Sequence, residues 1–494
     1  MRDIQNTRGE KLPVDIDSYN QCRRPQAVQH LKTLCHAPFV SMDFGPQGEV
    51  SVCNHYHKKI GTISDTTSFE EVWNGIEYGK LRTRMLNYII DEDLCRQCGK
   101  QIRAGKSEHT FAIEHYDMAP SNTDKPRYPV MMTFRLANTC NLACIMCKGD
   151  LSSRICIERE KRSIPPSPYG DVFFEKLRTI LPKLSSVEFF GGEPFLVKEH
   201  IRIFELMKEV GAKCSIYVNT NGMLLTDRVK GYLEDLNFTC IAISMDGVNP
   251  LVNEGIRKGV DQEQLLRNLE WYLELRKRKS LIVLLNVTEL RQNWFELPEL
   301  FRFAAEKKCA LHINTCIHPS YCTLYNLPSS QLNHVFEFLE KQREELERTL
   351  LKDRPQSRLK FLLSLVAGGL RKDKGKSEGV LAVKGNRQSY DYLLSMIRAE
   401  LERRTGGPPI QEPAKIDEDR YGTDGLLAAP FPGSPPFETP EKVWAEIERT
   451  RKNLGQSGQH LIDTMVERIR NLSQGGRWKK ILKKIEQTQE IGDS

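Results

Sequence analysis

Half of the cysteines in this chain fall into two groups with the spacing of metal ligands. The sequence contains 14 cysteines. One group is a C-x3-C-x2-C segment, and the other joins a C-x12-G-x4-C segment to a C-x2-C pair. The members are Cys140, Cys144 and Cys147 in the first group, and Cys35, Cys53, Cys95 and Cys98 in the second. So many cysteines in a reducing compartment favour metal ligands or reactive thiols over a disulfide framework.

The first group can present three thiolates on one side of a compact loop. Three thiolates can hold three irons of a cubane 4Fe-4S cluster and leave the fourth iron without a protein ligand. An open iron is chemically useful, because a chelating small molecule can coordinate it. The three cysteines alone also fit part of a zinc site or ordinary core positions.

The second group supplies four thiolates and therefore predicts a closed site. Such a site suits a fully ligated 4Fe-4S cluster or a structural zinc ion equally well. The spacing of the four cysteines does not choose between the two metals.

The elements that must position the first group alternate between strands and helices. From Tyr128 to Ile317 the pattern is typical of β/α units and a parallel sheet, so the predicted fold class is α/β. Six units with right-handed crossovers would form a partial (β/α)6 barrel, with functional loops at the carboxyl ends of the strands. The predicted strands are Val130 to Leu136, Ser186 to Phe190, Ser215 to Val218, Phe238 to Ser244, Leu281 to Val287 and Leu311 to Thr315.

Polar and glycine-rich segments follow the next three strands. The second strand ends in Gly191-Gly192-Glu193, where the glycines permit unusual dihedral angles and the carboxylate can accept hydrogen bonds from an ammonium group. Asn221 follows the third strand, and the fourth strand ends at Ser244. Arg257 lies a little further on and can pair with a carboxylate, either in a ligand or in a surface ion pair.

These segments, in this order after the cysteine loop, resemble the radical S-adenosylmethionine (SAM) superfamily. The resemblance implies that the open iron binds the amino and carboxylate groups of SAM and that an electron from the cluster releases a 5'-deoxyadenosyl radical. It also implies the residues that contact the cofactor. These are Gly191, Gly192 and Glu193 at the methionine amino group, Asn221 beside the cofactor, Ser244 at the ribose or carboxylate, Arg257 at the carboxylate, and Met146 against the adenine.

The sequence around the second cysteine group resembles the SPASM and twitch modules of peptide-modifying members of that superfamily. Those modules carry auxiliary 4Fe-4S clusters, so the resemblance favours iron over zinc. They normally follow the barrel, whereas this one precedes it. Cys316 and Cys322 lie where the usual module would begin, and we expect them to be buried and inert rather than hydrogen-atom donors.

The remaining sequence predicts five successive regions. A hairpin around the turn at 45–48 and a short helix at 68–73 belong to the N-terminal module, and a long amphipathic helix begins near Ser329. The regions are a SPASM- or twitch-like α+β module (1–127), the partial barrel (128–325), a helical extension (326–403), a Pro/Gly-rich linker (404–440) and a basic helical C-terminal segment (441–494).

Composition narrows the possible partners. The 72 Lys and Arg against 65 Asp and Glu give a net charge of +7, which is too mild to indicate nucleic acid. No apolar run is long enough to span a membrane, and the polar first residues do not form a signal peptide, so we expect a cytoplasmic protein without a membrane partner.

The leading hypothesis is a radical SAM enzyme that abstracts hydrogen from a peptide or protein, leading to cross-linking, epimerisation or oxidation. It would need an electron donor such as flavodoxin or ferredoxin. One alternative is a radical SAM enzyme that modifies nucleic acid, suggested by the basic C-terminal segment. Another is a zinc-stabilised interaction protein without enzymatic activity.

Overall fold

The computed structural model describes residues 11–349, apart from 57, 65, 92, 93 and 104, and residues 378–405. The predicted basic C-terminal segment and nearly all of the predicted linker lie outside the described residues. The last described helix ends at Thr405, just inside the region predicted as linker.

Six parallel strands form the predicted α/β barrel sheet, and three further strands extend it. The nine strands follow the order β11-β10-β9-β8-β7-β6-β2-β3-β4, and β1 pairs with β5 in a separate two-stranded sheet. The strands are β1 Lys11–Pro13, β2 Ser41–Phe44, β3 Glu49–Ser51, β4 Gly61–Thr62, β5 Ile89–Asp91, β6 Met131–Phe134, β7 Ser186–Phe189, β8 Ser215–Thr220, β9 Phe238–Ser244, β10 Ile282–Glu289 and β11 Ala310–Thr315.

Helices cover the outer face of the barrel sheet. Apolar residues at helical spacing, such as Phe173, Phe174 and Leu177, are buried against strand residues such as Phe134 and Phe189. The helices are α1 Ile16–Gln21, α2 Pro25–Gln29, α3 Ala37–Val40, α4 Phe69–Trp73, α5 Ile76–Leu86, α6 Arg96–Arg103, α7 Phe111–Glu114, α8 Ser153–Glu158, α9 Asp171–Ile180, α10 Lys198–Glu209, α11 Asp227–Asp235, α12 Pro250–Ile256, α13 Gln262–Arg278, α14 Leu297–Glu306, α15 Ser329–Thr349 and α16 Glu378–Thr405.

The predicted N-terminal hairpin continues the barrel sheet. Strand β2 pairs in parallel with β6, with Ser41 opposite Met131, and β3 and β4 pair antiparallel beyond it. Buried residues of the hairpin and of the barrel also belong to one continuous hydrophobic cluster. The sheet therefore crosses the predicted boundary at residue 127, and the N-terminal segment does not pack as an independent unit.

The sheet curls so that the loops beyond its first and last barrel strands meet. Strands β6 and β11 are five places apart in the sheet. Nevertheless the hydroxyl of Tyr321, beyond β11, donates a 2.9 Å hydrogen bond to the carbonyl of Ile145, beyond β6. The sheet is thus curled, with a contact between the loops that follow β6 and β11 but no pairing of these two strands. This confirms the predicted partial barrel.

Helix α16 lies along the outer edge of β11. The side chain of Asn386 accepts a 2.6 Å hydrogen bond from the Leu311 amide and donates a 3.0 Å bond to the Cys309 carbonyl. Ser389 donates to the Leu311 carbonyl at 3.1 Å. These side chains therefore satisfy backbone groups that a neighbouring strand would otherwise bind. In the described part of the chain, no helix is long and apolar enough to cross a membrane.

Candidate functional site

The three-cysteine loop follows β6 and is held on both sides by backbone hydrogen bonds. On one side the amide of Glu193 donates to the carbonyl of Thr139 at 2.8 Å. On the other, the amides of Ala143 and Ile145 donate to the carbonyls of Lys258 and Ile256, both at 2.9 Å. The loop is therefore fixed between the turn after β7 and the end of α12.

Two glycines allow the turn after β7 to approach the cysteine loop. Gly191 and Gly192 have φ angles of +73° and +54°, in the left-handed region that glycine tolerates best. A Cβ on Gly192 would lie 2.3 Å from the carbonyl oxygen of Thr139. Any larger residue at this position would have to displace the backbone of Thr139. Thr139 immediately precedes the ligand candidate Cys140.

Glu193 is fully buried and connects the loops of two neighbouring strands. Its carboxylate accepts hydrogen bonds from the Thr220 hydroxyl at 2.7 Å and from the amides of Asn221 and Phe195 at 2.8 and 3.2 Å. Burial raises the pKa of Glu193 to about 7, and these hydrogen bonds oppose the rise. The carboxylate predicted to face the cofactor amino group thus also bonds within the protein.

Asn221 brings the third strand's loop to the cysteine loop. Its side-chain amide donates a 2.8 Å hydrogen bond to the side-chain oxygen of Asn141, the residue after Cys140. The loops after β6, β7 and β8 therefore form one connected unit around the first thiol. This arrangement brings together four of the predicted cofactor residues, Gly191, Gly192, Glu193 and Asn221.

Arg257 forms a buried ion pair, and not the surface ion pair that the sequence left open. Its Nε lies 2.8 Å from Asp246 Oδ2, and both side chains are almost completely inaccessible. Its Nη1 also lies 4.0 Å from the sulfur of Cys144. Arg257 therefore places a positive charge directly beside a ligand candidate, while Asp246 neutralises part of that charge. Burial raises the pKa of Asp246, and Arg257 opposes this effect.

Ser244 belongs to a row of polar side chains across the barrel interior. Its hydroxyl lies 3.4 Å from the Asn219 side-chain oxygen, which also accepts a 3.3 Å bond from Asn286. Asn286 in turn accepts a 2.7 Å bond from Asn314. The sequence analysis missed Asn286 and Asn314. The available signal was strand alternation, which decides which side chains share a face of the sheet. Asn286 lies directly opposite Ser244 in register, so the two side chains share the inner face.

Met146 lies at the edge of a pocket beside the cysteine loop. The pocket has a volume of about 490 Å³. Met146 is half-buried and packs against hydrophobic residues of the loop that follows β11. The pocket is lined by Met146, Cys147, Lys148, Arg159, Glu160, Arg162, His318, Pro319 and Tyr321.

The thiols of the first group fit an iron–sulfur cluster. They are close enough to influence each other's ionisation, and burial raises the pKa of Cys140 to about 12 and of Cys144 to about 11. Metal binding would therefore have to displace the thiol protons. Among the described residues, no group of three or more His, Cys, Asp or Glu side chains is arranged to hold a single metal ion. A cubane distributes its thiolates over separate irons, so its ligands need not converge on one point.

All four cysteines of the second group line one cavity. Its other lining residues are mainly apolar, and Phe111 and Tyr116 are among them. Burial raises the pKa of Cys35 and Cys53 well above the usual value, and the neighbouring thiols add to the rise. The four thiols are thus gathered in a desolvated space suited to a fully ligated cluster.

The two cysteine groups lie at opposite ends of β6. Cys35 precedes β2, which runs parallel to β6, and Cys53 follows β3, which runs antiparallel to β2. Both therefore lie at the amino end of β6, whereas Cys140 follows its carboxyl end. Sequence order alone did not indicate this position for the N-terminal group.

Cys316 and Cys322 are buried beside the loop that carries Met146. Burial raises the pKa of both thiols. The burial that the sequence predicts for both cysteines is therefore observed.

Comparison with known families identifies both cysteine regions. Residues 134–304 match the radical SAM superfamily. This part of the chain is therefore a radical SAM domain. Residues 35–99 match the SPASM iron–sulfur cluster-binding domain, which in this chain precedes the radical SAM domain. A radical SAM domain implies a 4Fe-4S cluster and SAM, and a SPASM domain implies an auxiliary iron–sulfur cluster.

Individual relatives match part of this chain over part of their own length. Mycofactocin maturase MftC of Mycolicibacterium smegmatis is 29% identical over 194 residues, which are 39% of this chain and 45% of that protein. A probable GTP 3',8-cyclase of Methanocaldococcus jannaschii is 26% identical over 179 residues, 36% of this chain and 56% of that protein. The chain thus spans about half the length of these relatives. The crystal structure of Streptococcus suis SuiB with S-adenosylmethionine has a TM-score of 0.33, with 18% identity over 44% of this chain and 49% of that chain.

Proposed function

We propose that this radical SAM protein reductively cleaves SAM to a 5'-deoxyadenosyl radical and uses it to abstract hydrogen from a peptide or protein. The main support is the way three strand ends converge on the cysteine loop. Glu193 and Asn221 bind that loop through Thr139 and Asn141, on either side of Cys140. This supports one site made of the thiols and of the segments proposed to bind the cofactor.

The residues of the chain have separable roles in this proposal. Cys140, Cys144 and Cys147 would hold the cluster, which supplies an electron to the sulfonium when SAM is bound. Gly191 and Gly192 bring backbone groups close to the loop, and Arg257 places positive charge beside Cys144. The polar row of Ser244, Asn219, Asn286 and Asn314 offers hydrogen bonds inside the barrel. The proposed role of Met146 is to pack against the adenine.

The peptide assignment rests on the SPASM domain. The sequence around Cys35 and Cys53 resembles modules of peptide-modifying members, and the structure gathers the four thiols of this region around one cavity. In the proposed enzyme, this cavity would hold the auxiliary 4Fe-4S cluster, at the opposite end of the barrel from the radical-generating loop. The electron donor would be a flavodoxin or ferredoxin.

The decisive experiment is anaerobic reconstitution followed by measurement of iron, labile sulfide and 5'-deoxyadenosine. We expect about eight irons per chain from two cubane clusters. Replacement of Cys140, Cys144 and Cys147 with Ala should remove about half of the iron and abolish 5'-deoxyadenosine formation. Cys214→Ala, at a buried cysteine outside both groups, is the control and should change neither value.

Two results would overturn the proposal. One is bound zinc without sulfide, which would instead support the interaction protein. The other is a fully loaded protein that forms no 5'-deoxyadenosine under strong reduction. For the substrate, deuterium transfer into 5'-deoxyadenosine from a labelled precursor peptide encoded nearby would support peptide modification. Transfer from labelled RNA would support the alternative.

A further inference from the structure

The outer side of the cysteine loop carries an unusual concentration of exposed apolar side chains. We call the surface formed by residues 148–164 and Ile317 the cysteine-loop face. Eight large apolar side chains are conspicuously exposed among the described residues, and four of them lie here. They are Leu151, Ile157, Ile164 and Ile317, with exposed fractions of 37%, 54%, 45% and 64%. Exposed apolar groups concentrated in this way mark surfaces that bind another macromolecule.

The same face has an excess of positive charge. Residues 148–164 contain five basic and three acidic side chains. Lys148 and Arg162 both pair with Asp150, at 3.3 and 3.0 Å, and Arg162 also pairs with Glu160. Two positive and two negative charges therefore compensate each other within this network.

Of the three cations outside that network, Arg154 pairs with Glu158 at 2.9 Å, and the other two have no carboxylate partner among the described residues. Arg159 lines the pocket and donates to the carbonyl of Cys147, and it has no carboxylate partner among the described residues. Lys161 is exposed and likewise has no ion-pair partner in the described part of the chain. The face thus offers positive charge to an approaching anion, around an apolar surface.

The position of Arg159 connects this face directly to the radical site. Arg159 donates a hydrogen bond to the carbonyl of Cys147, one of the three proposed ligand residues. A partner that binds Arg159 would therefore lie close to the proposed cluster. A small anion would need only the cations and would leave the apolar side chains exposed. An apolar surface with a charged surround is the composition of a transient protein–protein interface.

We propose that the cysteine-loop face is the docking site of an acidic protein that carries one electron at a time. This inference rests on the proposed function, because SAM cleavage consumes one electron. The carrier is oxidised by one electron, and the sulfonium is reduced by the same electron. One carbon–sulfur bond then breaks, giving methionine and the 5'-deoxyadenosyl radical.

Charge argues against two other occupants of this face. A second copy of the chain would present the same positive surface, and like charges oppose that contact. The C-terminal segment of this chain is basic and would be repelled in the same way. An acidic carrier satisfies both the apolar and the electrostatic character of the surface.

The test uses a double variant, Ile157→Asp with Lys161→Glu, in the full reconstituted chain. The two residues lie four apart on and just beyond α8, and neither belongs to the proposed cofactor machinery. Val172→Asp with Lys176→Glu on α9 is a matched control, since it makes the same charge change at the same spacing and Val172 is 46% exposed. Each protein is supplied with electrons either by reduced flavodoxin or by dithionite, at low and high salt.

The cysteine-loop variant should lose at least about tenfold in flavodoxin-driven 5'-deoxyadenosine formation at low salt, because rim charges control association rates. Dithionite-driven formation should stay within about twofold of the wild type, since a small reductant needs no docking surface. A direct binding measurement should show the same loss of flavodoxin affinity, and the α9 control should behave as the wild type in every assay.

Several outcomes would overturn the inference. Unchanged flavodoxin binding in the cysteine-loop variant would exclude this face as the docking site. Equal losses with dithionite, or in the α9 control, would point to a general effect on folding or charge. Normal flavodoxin-driven cleavage with loss of peptide modification would assign the face to the substrate. If the wild type forms no 5'-deoxyadenosine with dithionite, the proposed function fails, while the binding measurement still decides whether flavodoxin docks here.

Discussion

Replacement of Gly192 with Ala should damage the radical site by moving the backbone that precedes Cys140. The φ angle of +54° alone would cost an alanine about 1 to 2 kcal/mol. The new Cβ would also lie 2.3 Å from the Thr139 carbonyl oxygen, so that oxygen must retreat by at least 0.7 Å to reach the 3.0 Å that real contacts respect. The same oxygen accepts the 2.8 Å hydrogen bond from the Glu193 amide, whose loss costs about 1 kcal/mol more.

Gly211→Ala separates backbone strain from this displacement. Gly211 has a φ of +62°, and a Cβ there would meet nothing within 4 Å. Both variants should lose about 1 to 2 kcal/mol of unfolding free energy from the φ angle, measured by urea denaturation, and Gly192→Ala should lose about 1 kcal/mol more.

The iron content of the two variants should differ. After reconstitution, Gly211→Ala should keep about eight irons per chain and Gly192→Ala only about four, with little 5'-deoxyadenosine formed. If Gly192→Ala binds iron and cleaves SAM as well as Gly211→Ala does, the contact between the two loops does not position the ligands.

Three further changes probe buried polar groups. Burial raises the pKa of Asp43 to about 6 although Arg135 opposes the rise. The pKa of an aspartate in the unfolded chain is about 4, so the folded protein binds this proton more tightly. The protonated Asp43 therefore contributes about 3 kcal/mol to the free energy of unfolding below pH 4, and this contribution is lost as the pH rises to 6. Asp43→Asn should therefore flatten the stability profile of the metal-free protein between those values, and an unchanged slope would contradict the assignment. Arg257→Met should cost about 3 to 5 kcal/mol, because it leaves the Asp246 charge buried alone. Adding Asp246→Asn should restore part of that stability. Thermal unfolding should therefore show the double variant to be more stable than Arg257→Met alone. Asn386→Ala should cost about 1 to 3 kcal/mol by leaving the Leu311 amide without its acceptor, and native-state hydrogen exchange at Leu311 should accelerate.

Local patterns were sufficient to predict the elements that carry the radical site. Short β-rich runs that alternate with helical patterns predicted six strands, which the structure contains as β6 to β11. The turn at 45–48 predicted the N-terminal hairpin. The cysteine loop and the segments ending at Glu193 and Asn221 were visible because each follows a strand directly. Carboxyl ends of parallel strands meet at one edge of the sheet, so proximity followed from order.

Long-range pairings were not accessible from the same patterns. Nothing in the sequence of the four-residue strand β2 indicates that it pairs with β6. That pairing nevertheless places the N-terminal cysteines at the amino end of β6, opposite the end that Cys140 follows. Asn286 and Asn314 are ordinary strand residues until register aligns them with Ser244. The Arg257–Asp246 pair likewise depends on burial, which a charged residue's sequence context does not reveal.

The contacts of Asn386 with β11 limit how a peptide can be recognised. Many proteins capture an extended peptide by letting it join an open sheet as one more strand. Here the Leu311 amide and the carbonyls of Cys309 and Leu311 are already engaged by α16, and the strand at the opposite margin is only two residues long. Recruitment by β-augmentation, and the edge-to-edge aggregation that shares its chemistry, are therefore both disfavoured along this sheet. A peptide substrate would have to be recognised through its side chains or through the barrel lumen.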